Sequence, residues 1–152
     1  MRLACAASES YLSGMGSFST DTLSVLFPNV ATTRDIAVRV AVSYLSEQSN
    51  PSLSRWFWSY HIRIDNGSDT SVQLLSRKWR IVDGRGTVHE IQGEGVVGET
   101  PLIAPGGSFD YVSGCPLDTP SGSMSGSYHM VDENGGAFEV AIPNFSLIAP
   151  SN

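Results

Sequence analysis

Cysteine is nearly absent: only Cys5 and Cys115 occur among 152 residues. With Cys5 near the start, Cys115 stands alone in the body of the chain, which excludes a disulfide-stapled scaffold. Long hydrophobic runs are missing as well. No stretch approaches the roughly 20 apolar residues that cross a bilayer, so neither a membrane-spanning helix nor a membrane partner is expected. Positive charge is scarce: nine Lys and Arg face fifteen Asp and Glu, a net charge of −6, and no basic residue follows Arg85. Nucleic-acid binders need a basic patch to neutralise phosphates, so that class is excluded. Helical periodicity is also rare, because Gly and Pro recur too often for long helices.

What remains suits one domain. The chain is 41% hydrophobic, enough for a core, and its length fits a single-domain unit of about 100–150 residues plus a tail. The apolar start ends at Ser8-Glu9, short of the core of a secretion signal, and a lipoprotein anchor at Cys5 fails for the same reason. A cytoplasmic location is therefore expected. Residues 1–33 read as a flexible extension and 34–152 as the folded domain. The alternative is a docked segment using Leu23, Val25, Leu26 and Phe27.

From Arg34 the pattern has period two, the mark of half-buried strands. Ile36, Val38, Val40, Val42 and Tyr44 share one face. Trp56, Trp58, Tyr60, Ile62 and Ile64 form a second run with an aromatic inward face, and Asn66-Gly67 reads as a tight turn. A third run covers 72–83, with a bulge expected at Leu74-Leu75. Asp83-Gly84-Arg85-Gly86 turns into 87–92. Shorter runs follow around Phe109–Val112, Met124–Met130 and Phe138–Ile142, with a hairpin loop at 132–136. About seven short strands at this spacing predict an all-β fold, an antiparallel β-sandwich of immunoglobulin-like or fibronectin type III-like form. Without paired cysteines, aromatic packing must hold its sheets together.

The residues Val72-Gln73-Leu74-Leu75-Ser76-Arg77-Lys78-Trp79, then Gly95-Val96-Val97-Gly98-Glu99-Thr100-Pro101, and above all the block from Ser113-Gly114-Cys115-Pro116 to Met124, resemble the ApaG family. Gly126, Tyr128, Met130 and Pro143 extend the match, which covers about 33–147. The resemblance implies a small cytoplasmic bacterial protein with a fibronectin-III-like sandwich. It further implies a genetic link to cobalt resistance and magnesium efflux, with no established catalytic activity; related domains serve as interaction modules in eukaryotic proteins. One departure is Lys78, where many members carry His before the Trp.

Several side-chain sets bear on function. Gly93-Glu94-Gly95-Val96-Val97-Gly98 spells GxGxxG, but Pro101 and Pro105 follow and no helical pattern begins, so the Rossmann context is missing. A Gly-rich loop can still form an anion nest from backbone N–H groups, which makes Gly93, Gly95 and Gly98 the candidate anion- or nucleotide-binding residues. His61, His89 and His129 lack ligand spacing and read as surface residues. No metal site is expected, and no cofactor beyond the weak candidate of a divalent cation. Cys115 has no local base to activate it. Asp118 to Ser123 reads as a loop fixed by side-chain bonds. Arg63, Lys78 and Arg80 fall on outward positions and make the candidate partner-binding surface. Strand 34–45 could pair with its equivalent in a homodimer, so monomer and dimer both stay open.

The leading expectation is thus a non-catalytic binding module, not an enzyme, with an unidentified protein partner and an implied part in divalent-cation homeostasis. The alternative is a nucleotide- or polyphosphate-binding protein or hydrolase using the loop 93–98.

Overall fold

The alternating runs fold as strands because each can bury one face against a second layer while its other face stays wet. The computed structural model describes residues 10–12 and 19–151. Two antiparallel sheets face each other. The first has the order β1 (Ser10–Leu12), β8 (Ser108–Leu117), β4 (Trp56–Asn66), β3 (Ile36–Tyr44) and β2 (Asn29–Thr33). The second runs β10 (Ala137–Ile148), β9 (Ser121–Asp132), β5 (Val72–Asp83) and β6 (Val88–Glu94), with β7 (Leu102–Ile103) pairing the start of β5. The expected sandwich is therefore present.

The described residues hold ten strands rather than about seven, and the excess is informative. β1, β2 and β7 are the additions, and two of them lie in the segment read as a flexible extension. The expected boundary at Arg34 falls inside a hairpin. Thr33 pairs with Ile36, and the two residues between, Arg34 and Asp35, both take positive φ, 48° and 66°. Such a turn normally announces itself with Asn-Gly, and Arg-Asp carries no such signature. Ahead of it, Ser19 caps helix α1 (Thr20–Leu26) by accepting a hydrogen bond from the Thr22 amide. Leu23 and Phe27 are buried, whereas Val25 and Leu26 are exposed. The described residues 19–33 are thus docked, through two of the four side chains that a docked segment would use.

Asn66-Gly67 is not a tight hairpin turn; it begins the crossing from the first sheet to the second. Asn66 is buried, and its side-chain amide donates to the carbonyls of Thr70 and Ile103 while its oxygen accepts from Ser68. The bulge between Leu74 and Ser76 is present. The block from Ser113 to Met124 is mostly strand, with only Asp118, Thr119 and Pro120 between β8 and β9. β3 is not an edge over 36–40, because β2 covers it there, so homodimer pairing through that stretch is blocked.

The core lies between the sheets. Trp58, Tyr60, Ile62 and Ile64 of β4 face Trp79 and Ile81 of β5, and all are almost fully buried. The Tyr60 and Trp79 rings meet edge to face with centroids 5.3 Å apart, tying one sheet to the other. Tyr111 of β8 and Tyr128 of β9 do the same through their hydroxyls, 2.5 Å apart. Along one flank the sheets are stitched directly: the Ala141 amide of β10 donates to Thr33 Oγ1 of β2 at 3.2 Å.

Candidate binding surface

The outer face of the second sheet is built from cross-strand rows, since residues opposite each other in an antiparallel pair share a face. Glu139, His129, Ser76 and Glu94 form one row across β10, β9, β5 and β6. Ser127, Lys78 and Gln92 form the next, and Ser125, Arg80 and Glu90 the third. Serines in the middle strands leave a trough of about 310 Å³ among the longer side chains, lined by Lys78, Glu94, His129 and Glu139. Lys78 and Arg80 are exposed, and neither makes a salt bridge among the described residues.

Arg63 does not belong to this surface. It sits on β4 in the opposite sheet, only 4% exposed, and its Nε donates to Asp65 at 3.0 Å. Asp65 also accepts from Arg39 Nε at 3.0 Å. The face of the first sheet that carries these residues is polar, and polarity predicts a wet face. It is partly covered: Phe27, which follows α1, lies against His61 with ring centroids 4.9 Å apart. Of the three expected partner-binding residues, only Lys78 and Arg80 come together.

The glycine loop takes a form opposite to an anion nest. Gly93 is a strand residue opposite Arg77, whose guanidinium lies 3.0–3.1 Å from where a Cβ would sit. Arg77 Nη1 donates to the carbonyls of Glu94 at 3.0 Å and Gly95 at 2.7 Å. Carbonyl oxygens therefore converge on a cation here. The amide of Gly95 is committed to the Leu75 carbonyl, and Val96 and Glu99 exchange both backbone bonds at 2.8 Å. Gly95 takes φ +63°, with Glu99 packed against the space a side chain would need. No helix follows; the chain runs through Pro101 into β7. Gly93, Gly95 and Gly98 shape a closed turn whose Val96 is wholly buried.

Each histidine faces a carboxylate. His61 Nε2 lies 2.8 Å from Asp110, His89 Nε2 lies 3.3 Å from Asp83, and His129 Nδ1 lies 3.7 Å from Glu139. Glu139 stands directly opposite His129, and Asp110 lies diagonally across from His61 on the neighbouring strand, so sequence spacing did not reveal these pairs. Among the described residues, no group of three or more His, Cys, Asp and Glu side chains is placed to hold a metal ion. Cys115 is wholly buried in the core beside the Pro116 carbonyl. No described helix is long and apolar enough to cross a membrane.

The opposite end of the sandwich carries a feature that the pattern concealed. Trp56, read as an inward core residue, is only half-buried, and two hollows border it. One, of about 490 Å³, is lined by Tyr44, Ser46, Pro51, Trp56 and Pro150. The other, of about 340 Å³, is lined by Gln48, Arg55, Phe57, Pro116 and Leu117 with Trp56 between. The signal available in the sequence was proline beside aromatic residues at strand ends.

Residues 46–132 match the family model described as the ApaG domain. The chain belongs to the ApaG domain family. It is 54% identical over 120 residues to Protein ApaG of Mesorhizobium japonicum, an alignment covering 79% of this chain and 92% of that one. Protein ApaG of Beijerinckia indica is 52% identical over 118 residues, covering 78% and 91%. Among solved structures, an ApaA protein from Bordetella pertussis superposes with a TM-score of 0.75 at 48% identity, covering 78% of this chain and 96% of that one. In this ApaG domain, the GxGxxG of the family-like segment is thus a turn stapled by Arg77, and Trp79 beside it is a core residue rather than part of a site.

Proposed function

We propose that this ApaG domain is a non-catalytic docking module for an acidic protein partner, with a role in cobalt resistance and magnesium homeostasis. The observation that carries the docking role is the pair Lys78 and Arg80. They project side by side from β5, with serines of β9 on one side and Gln92 and Glu90 of β6 on the other, and neither makes an ion pair among the described residues. Exposed like charges left unpaired on a flat face steer an oppositely charged partner and set its register. The role in cation homeostasis rests on the family resemblance. It needs no metal site, because a docking protein acts on transport through its partner.

The test is affinity capture with the wild type, with Lys78→Glu/Arg80→Glu and with the charge-conserving Lys78→Arg. A specific partner retained by the wild type and by Lys78→Arg, and lost on charge reversal, supports the reading. A partner equally retained by the reversed variant rejects this face. Complementation of a cobalt-sensitive host lacking its own ApaG protein tests the cellular role with the same variants. A second reading, nucleotide or polyphosphate binding, draws on Lys78 lining the same trough as Gly93. NMR titration with ATP, Mg²⁺ and Co²⁺ separates it: shifts at Gly93, Gly95, Gly98 and Lys78 favour the nucleotide.

A further inference from the structure

The hollows on either side of Trp56 form a second surface, at the far end of the sandwich from the glycine loop. Their walls come from strand ends and from the connection between β3 and β4, which is firmly held. That connection makes two successive 3-10 turns, Ser46–Gln48 and Pro51–Leu53. Ser49 Oγ donates to the Leu45 carbonyl and accepts from the Phe57 amide. Asn50 and Arg55 bridge their backbones across the turn. Behind the rims, Tyr44 packs edge to face on Trp58 at 5.6 Å, and the Phe57 ring lies on Gly114, where a Cβ would come within 2.6 Å of it. The aromatic walls are therefore set before any ligand arrives.

We infer that this end binds an extended, proline-rich peptide carrying an acidic residue. A polyproline II segment makes no internal hydrogen bonds and is already stiff, so it loses little entropy on docking, and its rings pack on aromatic and proline walls. It repeats every three residues at about 3.1 Å rise, so prolines three apart project on one side. Two hollows parted by a single tryptophan suit two such anchors. An amphipathic helix needs a continuous groove for anchors at i, i+3, i+4 and i+7, and the ridge of Trp56 interrupts one here. Hydroxyls and amides on the rim, from Ser46, Ser54 and Gln48, offer donors to the exposed carbonyls of such a peptide. Arg55 supplies the charge preference: it is exposed, borders the second hollow and makes no salt bridge among the described residues.

This inference names a peptide class for a surface separate from Lys78 and Arg80, so each can fail alone. The experiment titrates the labelled full chain with a synthetic peptide of repeated Pro-Pro-Leu-Pro followed by two aspartates. The controls are the same peptide ending in two serines, a Gly-Ser peptide ending in aspartates, and a β-1,4-linked oligosaccharide. The expected result is saturable shifts of the Trp56 indole and the Tyr44 and Phe57 signals with the acidic proline peptide. Arg55→Glu, a surface change, should weaken that peptide tenfold or more while leaving the serine-ended one unchanged. Trp56→Phe should weaken both, and Lys78→Glu/Arg80→Glu should bind like the wild type. Absence of shifts at millimolar peptide overturns the inference, as does equal binding of the Gly-Ser control. Binding of the oligosaccharide alone would overturn it and assign the hollows to sugar.

Discussion

Tyr111 Oη and Tyr128 Oη share a hydrogen bond of 2.5 Å inside the core, one hydroxyl from each sheet. Tyr128 is wholly buried, and burial together with Tyr111 pushes its pKa well above the ordinary value of 10.0. The Tyr128 phenol therefore stays neutral, and the bond acts as a polar rivet in an apolar interior. Tyr111→Phe should cost about 1–3 kcal/mol, because it removes the bonding partner of a buried hydroxyl. The double change to Phe at both positions should cost less than the sum of the two single changes. Urea unfolding of the four proteins measures that coupling, and strict additivity would refute it.

Arg63 and Lys78 should respond differently to the same truncation. Arg63→Ala removes a buried guanidinium and its hydrogen bonds to Asp65, which keeps Arg39 as a partner, and should cost about 1.5–3 kcal/mol. Lys78→Ala, on an open face, should fall within about 0.5 kcal/mol of the wild type. Thermal melts decide the matter. Equal midpoints for the two variants would show that Arg63 is not structural.

Phe27→Ala should loosen α1 without unfolding the sandwich. Burying a phenylalanine side chain is worth about 1.5–3 kcal/mol, and the Phe27 ring packs on His61 of the sheet. Hydrogen exchange at the Leu23 and Phe27 amides, which bond to the Ser19 and Leu23 carbonyls, should quicken strongly. Exchange at Ile62 and Trp79 should barely change.

Gly95→Ala should destabilise by more than about 1 kcal/mol, the expected penalty for alanine at positive φ, here worsened by a clash with Glu99. The turn reading and the nucleotide reading part company here, since only the latter requires that ATP affinity fall in step with stability.

Acid should weaken the fold through two carboxylates. Burial, the largest single influence on Asp83, raises its pKa, yet the amides of Arg85 and Thr87 and the side chain of His89 outweigh it and hold the group below 3.8. The amides of Gly136 and Asn134 hold Asp132 below 3.8 in the same way, against a smaller opposing effect of burial. A depressed folded-state pKa gives stability that is present above the unfolded value and is lost as pH falls through the folded one. The melting temperature should therefore decline below about pH 3.8, and Asp132→Asn, which keeps the accepting oxygen, should flatten that decline.

The sheet architecture was legible because strands with one buried face must alternate, and Ile36 to Tyr44 and Trp56 to Ile64 do so without interruption. The Asp83 and Asp132 hairpins were legible for a local reason: short side chains that bond to amides two and four residues on. What escaped depends on register. Nothing in the order of residues says that Ser76 stands between His129 and Glu94, or that Trp56, at the same parity as Trp58, lies past the end of the covering layer. Arg63 escaped because polarity was taken for exposure, when paired charges can be buried. The Arg34-Asp35 turn escaped because its residues lack the usual preference for positive φ.

The seam between Thr33 and Ala141 has a consequence for crowded conditions. Where β2 and β10, each the edge of its sheet, come together, the Ala141 amide is already taken by Thr33, so a foreign strand finds one open donor fewer to pair with. The opposite flank of the second sheet is left to β6, where Glu90 and Glu94 stand guard with like charge against a copy of themselves. A domain of this kind can display sticky aromatic rims at one end and still resist edge-to-edge growth into fibrils.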